Sequence, residues 1–233
     1  MIKIVRATTV PMSLEAFCKG MLRELSKKYE VLVVSSPGEE LCRIEKSEGV
    51  KAVAIPMERH ISIGKDIKSL FRLFRLFINE KPYMVHSMTP KAGLLCMVAA
   101  KLAKVPIRVH TFTGLVFPTA KGIKRKILMF TDKMTCACAT HVIPEGEGVK
   151  NDLLNNNITK KPIKVLGYGN IRGVDMSYYS RRPEVMDIVV NKRLKVNDIF
   201  TFIFVGRIVG DKGINELCQA FNLLTEHSKV RLI

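Results

Sequence analysis

Short β-branched runs recur along the chain, and most are followed by stretches whose apolar residues fall three and four apart. Residues 2–8 (IKIVRAT) read as a strand. The segment 13–28 sets Leu14, Phe17, Met21, Leu22 and Leu25 on one helical face and predicts a single helix. Residues 31–35 (VLVVS) are the next expected strand, closed by the turn pair Pro37-Gly38. Residues 52–56, 84–88, 108–112, 141–143 and 163–166 repeat the strand plan, with helical periodicity at 65–80, 91–104, 122–138 and 145–155. Strands that alternate with helices over short connections require crossovers, so the sheet is mostly parallel and covered on both faces. The expected fold is a doubly wound, Rossmann-like α/β domain whose chemistry sits in the loops beyond the carboxyl ends of the strands.

After residue 166 the texture changes to GYGNIRG (167–173) and then to a charged stretch around 178–195. This predicts an N-terminal domain over 1–166, a linker and connecting helix over 167–197, and a second domain from 198. That second domain offers a strand at 200–205, a helix from about Gly213 to Thr225 and the beginning of a strand at 229–233. One βα unit and a fragment cannot cover their own apolar faces, so the sequence reads as truncated.

Composition narrows the partners. No apolar run reaches the roughly 18 residues that span a bilayer, and Met1–Arg6 alternates like a strand rather than forming a signal peptide, so a cytosolic protein is expected. Six cysteines are scattered without a C-x-x-C pair or companion histidines, which predicts buried free thiols. The formal net charge of +17 predicts attraction to phosphate as nucleic acid, anionic lipid or a phosphorylated small molecule.

The loop Gly206-Arg-Ile-Val-Gly-Asp-Lys-Gly213 fits neither the Walker A nor the Rossmann glycine spacing. It does combine a strand end, backbone freedom, the planar fork of Arg207, the point charge of Lys212 and an expected helix start near Gly213. Those are the parts of a phosphate site, and equally of a solvated turn.

The segment FVGRIVGDKGINELCQAF (204–221) resembles the opening of the C-terminal domain in family 4 of the retaining glycosyltransferases. VHSMTPKAGLLCMVAAKLAKVPIRVHTFTGLVF (85–117) is similar to the N-terminal domain of bacterial members that build capsular and O-antigen polysaccharides. HVIPEGEGVKNDLL and LGYGNIRGVDMSYY fit the later parts of that domain and the crossing into the second. The resemblance implies the GT-B fold, with two Rossmann-like domains, the donor held mainly by the C-terminal one and the acceptor by the N-terminal one. It implies that Gly206, Arg207 and Lys212 bind the donor diphosphate, taking the place of a divalent metal; the chain shows no D-x-D motif, and no metal or other cofactor is expected. Relatives carry an E-x7-E stretch further on, which the sequence does not reach.

For the acceptor side, the loop HTFTGLVF (110–117) is expected to face the cleft. Many relatives place a histidine directly before the glycine, where this chain has Thr113. His110 therefore stands open between a core-facing strand histidine and a substrate contact, while Thr113 and Gly114 are candidates to line the site. Ser13 is either an acceptor contact or the N-cap of the first helix. Pro90 suits a first helical position, and Lys91 is either solvated or a partner for an acceptor phosphate. In Arg172-Gly-Val-Asp175, relatives often carry asparagine where Arg172 stands.

Two basic helices remain. DIKSLFRLFRLFINEK (66–81) spreads Ile67, Leu70, Phe71, Phe74, Phe77 and Ile78 over one broad face ringed by Lys68, Arg72 and Arg75, and is expected to pack on the sheet. KGIKRKILMF (121–130) concentrates four cations at a helix start, against the helix dipole, and reads as a contact for an anionic membrane surface. A nucleic-acid partner ranks well below the membrane and is not expected, since the chain shows no recognition motif and few aromatics among the cations. The functional expectation is a transferase moving a sugar from a nucleotide diphosphate, UDP above all, to a polyprenyl-diphosphate-linked saccharide at the cytoplasmic face of the membrane. A catalytically inactive acceptor- and membrane-binding module and a sugar-nucleotide epimerase of the same fold are the alternatives.

Overall fold

The computed structural model describes residues 1–58, 60–191, 199–206, 208–225 and 229–233. Contacts divide the chain into two compact units, Met1–Gly173 and Val174–Ile233.

In the first unit the strands are β1 (Lys3–Ala7), β2 (Glu30–Ser35), β3 (Lys51–Ala54), β4 (Met84–Ser87), β5 (Ile107–Phe112) and β6 (His141–Pro144). They form one parallel sheet in the order β3-β2-β1-β4-β5-β6. The helices are α1 (Pro11–Cys18), α2 (Met21–Ser26), α3 (Glu39–Glu48), α4 (Ile63–Glu80), α5 (Pro90–Leu102), α6 (Gly122–Cys138) and α7 (Glu147–Asn155). Alternation within the strands feeds two cores. Val31 and Val33 join Leu14, Cys18, Leu22, Leu41 and Ile44 under α1–α3, while Leu32 and Val34 join Leu73, Phe77, Leu95 and Cys136 under α4–α6. Both faces of the central strands are dry, which explains why VLVV is apolar at every position.

The strand order reverses between β1 and β4, and ligands of doubly wound sheets bind in the crevice at such a point. Here two threonines tie the loops together. The Thr89 hydroxyl accepts from the Thr9 amide at 2.8 Å and lies 2.7 Å from the Thr9 hydroxyl, which in turn accepts from the Ala92 amide at 3.2 Å.

Several expectations need correction. The single helix over 13–28 is two helices, broken at Gly20, whose φ of +79° opens α2 in a new direction. Ser13 lies inside α1, behind Pro11 at its first position, and caps nothing. Residues 163–166 form no strand: Val165 is buried and Ile163 packs against the core, but no ladder forms, so the alternation reflected burial without pairing. The helix α3 escaped the periodicity reading. Along α4 only Ser69, Leu73 and Phe77 are fully buried, whereas Ile63, Ile67 and Phe71 are 74%, 61% and 62% exposed. The apolar face is thus wider than the seam that packs on the sheet, and about half of it points outward. The cysteines are all free, but Cys42 and Cys218 are exposed rather than buried.

In the second unit, α8 (Pro183–Asn191) precedes β7 (Phe200–Phe202), α9 (Ile214–Thr225) and β8 (Val230–Leu232). β7 and β8 pair in parallel around α9, giving one βαβ unit. The strand expected over 200–205 ends at Phe202, and a 3-10 turn (Gly210–Lys212) leads into Gly213 at φ +71°, so the helix proper starts at Ile214.

Candidate functional site

A cavity of about 780 Å³ lies at the carboxyl end of the sheet, within the range that holds small-molecule ligands. The loop after β1 contributes Thr9 and Val10 and the start of α1 contributes Ser13; the start of α5 contributes Thr89, Pro90 and Lys91, and the loop after β5 contributes Gly114, Leu115 and Val116. Ile63, Ile67 and Leu70 of α4 form one wall; Ile127 and Leu128 of α6 form the other, with Lys124, Thr131 and Asp132 on the same helix. α4 and α6 both pack on α5, so the cavity is a groove floored by α5 with apolar walls.

The lips of the groove continue the same chemistry outward. Ile63, Ile67 and Phe71 are exposed on α4, and Ile123, Ile127 and Phe130 on α6, at 77%, 42% and 63% for the latter three. Lys68, Arg72 and Arg75 on the first helix, and Lys121 at the start of the second with Lys124 and Lys126 on it, stand exposed, whereas Lys65 is paired with Glu58. Arg125 is the exception among the clustered cations. It is half-buried, donates to the Asn156 Oδ1 at 2.8 Å and lies 5.7 Å from the centre of the Phe117 ring, so it braces α6.

Of the residues singled out from the sequence, Ser13, Lys91 and Gly114 come together on this cavity. Gly114 has a φ of +105°, a conformation that disfavours any side chain, and its backbone faces the opening. Lys91 is neither solvated nor free: its ammonium pairs with Asp66 at 2.5 Å and donates to the His60 carbonyl at 3.0 Å, with 12% of the side chain exposed. Its charge is already balanced, which weakens it as a ligand for an acceptor phosphate.

His110 and Thr113 are elsewhere. His110 is 1% exposed on the face of β5 that meets α5, with its Nδ1 2.8 Å from the Ser87 hydroxyl. Burial pushes its pKa down to about 3, so the ring is neutral. Gly93 of α5 lies flat on the imidazole; a Cβ there would stand 2.8 Å from Nδ1. The strand alternation that makes β5 core-facing thus decides the open choice for His110 in favour of the core. Thr113 is half-buried and donates its hydroxyl to the Met88 carbonyl at 2.9 Å, bracing the loop instead of lining the cavity.

Three acidic groups were missed. Asp66 pairs Lys91 across the groove. Asp132 is 9% exposed on α6, and burial raises its pKa to about 7. Glu145, after β6, sits beside Gly114 and is also shifted upward by desolvation. Asp132 carried a legible signal: with Leu128, Thr135 and Cys136 it falls at seam spacing on α6, where a carboxylate is out of place.

In the second unit, Gly206 is exposed, as is Lys212 at the end of its 3-10 turn, and Lys212 has no ion pair among the described residues. Arg207 lies outside the described residues. Among the described residues no group of His, Cys, Asp and Glu is placed to hold a metal ion, and no helix is long and apolar enough to cross a membrane.

Comparison with known proteins fits this architecture. A capsular polysaccharide biosynthesis glycosyltransferase, CapM, of Staphylococcus aureus is 38% identical over 224 residues, covering 95% of this chain and 57% of the relative. A UDP-Gal:alpha-D-GlcNAc-diphosphoundecaprenol alpha-1,3-galactosyltransferase of Escherichia coli is 28% identical over 185 residues, covering 78% of this chain and 47% of its own length. The chain therefore spans about half the length of these relatives. The crystal structure of a glycosyltransferase from Rickettsia africae superposes with a TM-score of 0.69 at 16% identity, covering 99% of this chain and 60% of that one. The fold is of the GT-B type, a Rossmann-like domain with a six-stranded parallel sheet followed by a βαβ unit of a second. Residues 14–169, which span β2 to β6 and most of the groove's lining, match the glycosyl transferase 4-like domain, and the chain belongs to that family.

Proposed function

We propose that the protein transfers a sugar, with retention of configuration, from a nucleotide diphosphate donor to a prenyl-diphosphate-linked saccharide at the cytoplasmic face of the membrane. The observation that carries this reading is the groove between α4 and α6: it opens at the reversal point of the sheet, its walls are apolar, and cations stand along its lips. An anionic lipid carrying a saccharide has that combination of surfaces. Similarity to a relative named for a diphosphoundecaprenol-linked acceptor and to one named for capsular polysaccharide supports the same class.

In this reading the acceptor saccharide sits near Ser13 and Gly114, and the exposed apolar residues of α4 and α6 enter the lipid headgroup region. Each cation beside an anionic surface contributes about 1 kcal/mol there. The donor, UDP-linked, is held through its diphosphate by Gly206, Arg207 and Lys212, and the charges of Arg207 and Lys212 stabilise the leaving group without a divalent metal. Support for this role comes from the exposure of Lys212 and its lack of a competing carboxylate among the described residues.

The test incubates the protein with labelled UDP-hexoses and UDP-N-acetylhexosamines, bacterial membrane lipid and excess EDTA. Label is expected in the lipid fraction, undiminished by the chelator. Absence of transfer from every donor overturns the activity; transfer abolished by EDTA overturns its metal independence.

A further inference from the structure

We propose that Asp132 recognises the acceptor saccharide, taking a hydrogen bond from a neutral N–H or O–H donor at the inner end of the groove. This rests on the acceptor reading above.

The groove contains two carboxylates in contrasting situations. Asp66 is neutralised by Lys91 at 2.5 Å. Asp132 is nine-tenths buried, lines the cavity, and has no hydrogen bond or ion pair among the described residues. A buried carboxyl without a partner is destabilising, so its own fold gains nothing from it. Position sharpens the point. α6 follows β5 and runs back against the strands, so Lys124 lies toward the open end and Asp132 about 12 Å further along the helix at 1.5 Å per residue.

Three kinds of group can reach the inner end of such a groove. A diphosphate is repelled by the ionised carboxyl. A prenyl chain fits Leu95 and Leu128 beside it but leaves the carboxyl unsatisfied, and therefore suits the exposed apolar lips better. A neutral sugar substituent that carries a donor hydrogen on an otherwise apolar frame satisfies the carboxyl and the walls together. An acetamido N–H and a ring hydroxyl both have this chemistry. Burial places the Asp132 pKa at about 7, so the carboxylate form that accepts such a bond is substantially populated at neutral pH.

Calorimetry with two soluble amphiphiles, n-octyl N-acetylglucosaminide and n-octyl glucoside, tests the assignment on the wild-type chain, Asp132→Leu and Asp132→Asn. Asp132→Leu is expected to lose about tenfold in affinity for at least one glycoside, in line with a hydrogen bond to a charged group, while melting at a higher temperature. Asp132→Asn, which keeps an accepting oxygen, is expected to stay within about threefold of wild type. A loss confined to the acetamido compound identifies the amide as donor, and an equal loss for both identifies a hydroxyl. Glycoside binding by Asp132→Leu equal to wild type, or no binding by wild type, overturns the proposal. Because the readout is binding, it is separable from the transfer assay: glycoside binding that depends on Asp132, without transfer from any donor, discards the transferase reading alone.

Discussion

Lys91 and Lys212 each follow a strand and stand close to the start of a helix, yet their surroundings are opposite. Lys91 is tied by Asp66 and the His60 carbonyl inside the groove of the first unit. Lys212 stands exposed at the end of a 3-10 turn in the second, with no ion pair among the described residues. A lysine whose charge is already met by a carboxylate fixes local structure; one left exposed stays available to an incoming anion. Such availability, more than closeness to a helix start, separates a candidate phosphate ligand from a brace.

The largest effect expected in the first unit concerns its packing. Gly93→Val puts atoms into the space of the His110 ring and should prevent soluble folding, while Gly93→Ala should cost about 1–3 kcal/mol or more in urea denaturation. Combining Gly93→Ala with His110→Ala should recover part of that loss. If Gly93→Val folds normally, the close approach of α5 to β5 is not a constraint. Next in size, replacing Lys121, Lys124 and Lys126 together with glutamine should remove about 3 kcal/mol of attraction to anionic vesicles, on the order of a hundredfold in partitioning at low salt. Unchanged partitioning would remove the membrane from the groove's lips. Lys212→Ala should raise the donor KM about tenfold with melting temperature unaltered, whereas Lys91→Met should lower the melting temperature and leave the donor KM alone. The reverse pattern would invert the contrast between the two lysines.

A separate effect is in pH dependence. His86 and His110 are held neutral by burial, while the unfolded chain protonates both below about pH 6.5, so acidification below that point favours unfolding. Asp132 acts in the opposite sense: burial lifts its folded pKa to about 7 from the ordinary 3.8, so its penalty is full above pH 7 and fades toward pH 4. Between pH 4 and 6.5 these three groups should give a net loss worth about one proton per pH unit, and Asp132→Asn should steepen it to about two. Urea midpoints measured across that window supply the check.

Legibility from sequence followed the same divide. The parallel sheet was readable because strand-like runs alternate with helical periodicity over short connections, an order that requires crossovers. The glycine, arginine and lysine of 206–213 were readable as a motif because they are contiguous. The groove was not, since its walls and floor come from five separate segments and the exposed half of α4 looks like an ordinary core stripe. Ser13 and Gly114, singled out by their position after strands, do line the cavity. His110 and Thr113 share that neighbourhood in sequence, but strand alternation turns the first into the core, and a carbonyl within reach engages the second. Asp66 and Asp132 matter only in relation to helices far away in the chain, and spacing within one helix could flag the second as anomalous without saying what it faces.

The paired threonines at the reversal of the strand order have a kinetic consequence. Loop amides ordinarily exchange their hydrogens with solvent quickly, since local opening there is easy. The amides of Thr9 and Ala92 are instead held by side-chain oxygens that hold each other, so neither can open without disturbing the junction of β1 and β4. In deuterated buffer they should exchange on the timescale of the sheet, and Thr89→Val should release Thr9 first, marking the mouth of the groove as a part of the core that happens to lie between strands.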